Sequence, residues 1–97
     1  MRMLLKASIP VEKGSEAYNS GALRETFQSA AEALKPEAAY FFPEDGRRTG
    51  LMVFDMEGSW QLPSIVEPMF QALGASIHIT PAMTAEDLER GMNEASL

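Results

Sequence analysis

From Met3 to Ile9 apolar residues fall on every second position, with Lys6 and Ser8 between them. A strand is predicted with Met3, Leu5, Ala7 and Ile9 on one face and Leu4, Lys6 and Ser8 on the other, closed by Pro10. Val11 to Gly21, rich in Gly, Ser, Glu and Asn, reads as a loop holding at most one helical turn around Glu16-Ala17-Tyr18. The period then lengthens. Leu23, Phe27, Ala30, Ala31 and Leu34 follow at helical intervals behind Asn19 or Ser20 as N-cap; Arg24, Gln28 and Glu32 look outward, and Pro36 ends the run.

Two apolar runs then flank Asp45-Gly46, a pair favoured in tight hairpin turns because both central residues must accept positive φ. That turn sets a register in which Phe42 faces Thr49, Phe41 faces Gly50, Tyr40 faces Leu51, Ala39 faces Met52 and Ala38 faces Val53. One face of the hairpin carries Tyr40, Phe42, Thr49, Leu51 and Val53, the other Ala39, Phe41, Gly50, Met52 and Phe54, and both are apolar. A second helical stripe follows through Leu62, Ile65, Val66, Met69, Phe70 and Leu73, with Ser59 as a candidate cap. Pro63 fits a first turn, whereas Pro68 falls in the interior and predicts a kink between Ser64 and Pro68. Gly74 is placed to cap this helix in the left-handed conformation. Ala75 to Thr80 alternates again, with Ala75, Ile77 and Ile79 opposite Ser76, His78 and Thr80, and Thr84-Ala85-Glu86-Asp87 reads as a capping box opening a short acidic helix through Leu88 and Met92.

Strand, helix, strand, strand, helix, strand with short connections predicts a single α+β domain over residues 1–97: a ferredoxin-like βαββαβ sandwich with an extra C-terminal helix. Ser8-Ile9-Pro10, Phe41-Phe42-Pro43 and Ile79-Thr80-Pro81 each end a strand in this reading. Two helices cover one face of such a sheet. The other face, carrying Leu4, Tyr40, Phe42, Leu51 and Val53 beside Lys6, Ser8 and His78, is too apolar to meet water, and a second copy of the chain is the expected cover.

Composition narrows the function classes. With 97 residues and no cysteine, neither a disulfide nor a thiolate metal site nor a thiol nucleophile is available, which suits a cytoplasmic protein. Eight basic residues against fourteen acidic ones give a net charge of −6, which argues against nucleic acid as partner. No stretch is long enough to span a membrane. The seven methionines read as adaptable core filler. There is no glycine-rich phosphate loop, nucleophile elbow or histidine pair at metal spacing, so no cofactor is expected.

The whole chain resembles the dimeric α+β-barrel superfamily. More narrowly, Pro-Glu-Ala-Ala-Tyr-Phe at 36–41, Arg48-Thr49-Gly50, Val53-Phe54-Asp55-Met56 and Glu67-Pro68 with Phe70 are similar to a group of small bacterial proteins. The resemblance implies two ferredoxin-like sheets packed face to face. It brings no reaction with it, because the superfamily holds cofactor-free monooxygenases, muconolactone-isomerase-like enzymes, haem-degrading proteins and plain ligand binders.

His78, the one histidine, shares the open face with Tyr40 and Thr49. It is either a general base beside a phenol or a partly wet edge-strand residue. Glu67 is either a buried acid aimed into a cavity by the Pro68 kink or an outward-facing residue. Asp55 and Glu57 read as solvated turn residues in preference to cation ligands, and Arg47-Arg48 as partners of Glu44 and Asp45 in preference to a ligand carboxylate. Trp60 either rims a pocket or staples the second helix. Three functions are compatible with this set: a module binding a small, largely apolar or aromatic molecule through Tyr40, Phe42, Thr49, Leu51 and His78; a cofactor-independent oxygenase or isomerase on an aromatic or lactone-like substrate; and a purely structural or regulatory homodimer.

Overall fold

Alternation, turn chemistry and helical spacing resolve, in the computed structural model, into an ordered chain whose residues 1–95 are described. In chain order these are β1 (Arg2–Ile9), α1 (Val11–Ser20), α2 (Ala22–Leu34), β2 (Ala38–Glu44), β3 (Arg47–Asp55), a 3-10 turn (Ser59–Gln61), α3 (Leu62–Leu73), β4 (Ser76–Pro81) and α4 (Ala85–Ala95). The strands form one antiparallel sheet in the order β2-β3-β1-β4, an α+β arrangement consistent with a ferredoxin-like fold. None of the described helices is long and apolar enough to cross a membrane.

Asp45 and Gly46 take φ values of 54° and 74°, the conformation a two-residue hairpin turn requires, and all five expected pairs from Ala38–Val53 to Phe42–Thr49 are in register. Alternation then sorts the side chains into two layers. Met3, Leu5, Ala7 and Ile9 from β1 and Met52 and Phe54 from β3 point to one side and are buried there with Ala17, Met56, Met69, Leu73 and Ala75. Met3, Met52, Met56 and Met69 are core filler, as composition suggested, whereas Met1, Met83 and Met92 are exposed.

The segment 11–20, expected to be mainly loop, is a ten-residue helix. Its glycine is what lets it form against the sheet. A β-carbon on Gly14 would lie 3.1 Å from both the Ile9 side chain and the Arg48 guanidinium, and one turn on, Ala17 is 3% exposed. Gly21, at φ 88°, ends α1 and also stands as the N-cap of α2, one residue beyond Ser20 and two beyond Asn19, the expected caps; the Ser20 hydroxyl accepts from the amide of Ala22.

The expected kink does not break α3, which runs from Leu62 to Leu73 through Pro68. Ser64 and Pro68 are both exposed, so the carbonyl deprived of its usual donor lies on the wet side. Ser59 makes no side-chain cap, and Phe70 is exposed, outside the buried stripe. Pro81 is the last residue of β4 and closes it as expected, whereas Pro43 lies within β2, which runs on to Glu44. Both are edge strands, where a missing donor is tolerated. Gly74 caps α3 at φ 59°, and Thr84 and Asp87 form the expected reciprocal box at the start of α4.

Candidate functional site

With α1, α2 and α3 on one side, the opposite face of the sheet has no layer over it among the described residues. The register arranges this open face in rows. Across the middle run Tyr40 on β2, Leu51 on β3, Lys6 on β1 and His78 on β4; one step to one side run Phe42, Thr49, Ser8 and Ser76, and to the other Ala38, Val53, Leu4 and Thr80. The β2–β3 half is therefore aromatic and aliphatic. The β1–β4 half carries an ammonium, an imidazole and three hydroxyls, with Leu4 its apolar exception.

Tyr40 and His78 share a row but stand on opposite edge strands, three strand spacings or about 14 Å apart, so one protomer does not bring them together. Tyr40 is 64% exposed and His78 is also exposed. Lys6 pairs with Glu44 along a diagonal that passes over Thr49. Thr49 is buried and its hydroxyl donates to the Arg47 carbonyl at 3.1 Å, so its proton is already engaged in the protomer and only its oxygen is left to accept. Leu51 and Phe42 are half-buried by their neighbours.

The remaining candidates settle elsewhere. Glu67 is exposed on α3, on the far side of the sheet from His78, and accepts from the Gln71 side-chain amide at 3.1 Å; it is not a buried acid. Glu44 pairs with Lys6 and not with the adjacent arginines. Arg48 turns into the helix layer, where its guanidinium lies 5.8 Å from the Tyr18 ring centroid and donates to the Ser15 hydroxyl at 3.4 Å. Asp55 pairs with the amino group of Met1, and among the described residues no group of His, Asp and Glu is placed to hold a metal ion. Trp60 remains exposed with its indole over Gly58, stapling the turn ahead of α3.

A second concave feature was not anticipated from the sequence. A groove of about 740 Å³ runs between α2 and α3, lined by Ala30, Ala33, Ile65 and Met69 with Ser29 and Gln71 at its polar margin. Small residues on the facing sides of the two helices leave the gap. The signal lay in the alanines of 22–34, of which the helical stripe assigned Ala30 and Ala31 to the core; Ala30 instead lines the groove with Ala33, and Ala31 is exposed.

The Glu37 carboxylate, through a hydrogen bond and its charge, holds the Arg2 guanidinium above its ordinary value. The Thr84 amide and hydroxyl hold the Asp87 carboxyl below its own, with a smaller contribution from Arg2.

The chain matches no family model and no curated protein. Among solved structures it is similar to a formyltetrahydrofolate deformylase from Pseudomonas putida KT2440. The identity is 13% and the TM-score 0.55, over 84% of this chain and 29% of that one. At that identity the likeness extends to the fold, a small α+β domain of ferredoxin-like type, and this chain spans under a third of that protein's length.

Proposed function

We propose that the protein is a homodimer joined through its open sheet faces that binds a small, largely apolar or aromatic molecule between them. The observation that carries this reading is the uncovered face itself: Tyr40, Phe42, Leu51, Val53 and Leu4 form a continuous apolar surface on a sheet whose other side is already filled. The resemblance to the dimeric α+β-barrel superfamily supports the same pairing. A two-fold axis along the strands sets the partner's β2 over β4 and brings the partner's Tyr40 above His78, because the two share a row. In that pairing each apolar half meets a polar half. Such surfaces fill one another poorly and favour a guest with one apolar and one polar end, His78 accepting and the partner's Tyr40 donating a hydrogen bond. An axis across the strands sets apolar half on apolar half and supports the purely structural dimer.

Thermal-shift screening against small aromatic acids and lactones, repeated with His78→Ala and Tyr40→Phe, tests this directly. Hits that weaken in both variants are expected. Absence of any hit on a confirmed dimer would favour the structural dimer. The groove between α2 and α3 gives a second reading, since it is a concavity complete within one protomer. Hits unaffected by either variant but weakened by Ala33→Trp, which fills that groove, would move the site there. The oxygenase or isomerase alternative needs a turnover assay on those same hits.

A further inference from the structure

Both margins of the sheet are made of residues that pair readily with another strand. Ala38 to Phe42 on β2 carries three aromatic rings and no charge, and Ser76 to Thr80 on β4 holds two isoleucines and no acidic residue, lysine or arginine. Tyr40 and Phe41, on either side of the β2 margin, are 64% and 57% exposed. β2 is paired only with β3 and β4 only with β1, so each has one side of its backbone turned away from the sheet. An uncharged margin of this kind is a template for a further chain.

The direction of each amide follows from the register. Glu44 and Arg47 flank the two-residue turn and exchange both hydrogen bonds, so the amides of Phe42, Tyr40 and Ala38 also turn to β3. Those of Ala39 and Phe41 face outward. The next outward place holds Pro43, which has no amide hydrogen, and at the other end Glu37 turns in to donate to the Val53 carbonyl at 2.8 Å. β4 is built the same way. The Ala82 amide donates to the Arg2 carbonyl at 3.0 Å, so Thr80, His78 and Ser76 face β1, and the amides of Ile77 and Ile79 face outward. Beyond them stand Pro81 on one side and, on the other, Ala75, whose amide is taken by the Met69 carbonyl at the end of α3. Each margin is thus trimmed to two free donors, with a proline at one end and a committed amide at the other.

We infer that Pro43 and Pro81 are stops that keep copies of this chain from joining edge to edge into a continuous sheet. The windows left open, 39–41 and 77–79, fall short of the about five or six residues of an ordinary strand. A pyrrolidine ring stands where the next carbonyl of an incoming strand would seek a donor. Association through the sheet is left to its open face. The stops go beyond the face-to-face dimer proposed above and do not depend on it, since they act on the margins whether or not the faces pair.

Hydrogen exchange on wild type, with sedimentation velocity on wild type, Pro43→Thr, Pro81→Thr and the double variant, tests the stops. In wild type the amides of Ala39, Phe41, Ile77 and Ile79 are expected to exchange on the order of a hundredfold faster than those of Tyr40 and His78, which lie between them. Threonine restores a third outward donor without removing any bond, so the double variant is expected to keep the wild-type far-ultraviolet spectrum and to form species of at least twice the wild-type mass as concentration rises. Each single variant reopens one margin and is expected to show a smaller gain of the same kind, which keeps the test readable if the double variant does not fold. Slow exchange at the four outward amides means that the margins are already joined and overturns the inference. Folded variants whose mass follows wild type at every concentration overturn it as well. A wild type that is monomeric ends the face-to-face dimer alone, and the gain in the proline variants is then read from the monomer.

Discussion

A β-carbon on Gly50 would lie 3.1 Å from the Phe27 ring and 3.3 Å from Phe41, whose rings meet edge to face with centroids 5.2 Å apart. The glycine therefore makes room for an aromatic pair that ties α2 to the hairpin. Gly50→Val must displace one of the rings, and overpacking of this kind costs roughly 1 to 3 kcal/mol. Urea denaturation should show a lower midpoint; unchanged stability would mean the rings can move aside without loss. Sequence alone placed Phe41 opposite Gly50, because the Asp45-Gly46 turn counts the register from a fixed point. Phe27 as the third member was hidden, since nothing in a helical stripe says which strand residue its side chain will meet.

Among the elements, α4 is held at its start by the reciprocal pair Thr84–Asp87, both hydrogen bonds at 3.1 Å. Asp87 is depressed by these bonds in the folded chain. Its contribution to the helix is complete above the ordinary aspartate value near 4 and is lost as pH falls through the lowered folded value. Backbone NMR shifts of 85–90 should therefore stay helical down to about pH 4 and move toward coil below it. Thr84→Ala should fray the same turn at neutral pH, and shifts unaltered by that substitution would mean that something other than the box holds α4. The box was legible because its residues are three apart and local. The helix α1 was not: Gly14 carries the signature of a helix breaker, and only the sheet beneath reveals it as the point of closest approach to Ile9.

At the scale of the molecule, one side of the sheet is complete and the other is not. Leu51→Asp places a carboxylate in the centre of the uncovered side. In the proposed dimer this costs on the order of 3 kcal/mol, a weakening of about a hundredfold, which light scattering would register as a monomer at concentrations where wild type is dimeric. Wild-type assembly in that variant would show that Leu51 faces water. The sequence by itself determined the strands, the turn, the register and which residues share the open face, because each follows from a period of two or from local turn and cap chemistry. It also implied that Tyr40 and His78 stand on opposite edges. Only the tertiary structure decided that Thr49 lies beneath the Lys6–Glu44 pair, that Arg48 turns inward to Tyr18 and that a groove opens between α2 and α3. Contacts of this kind join residues distant in sequence, and their geometry is set by how the layers pack, which no local periodicity encodes.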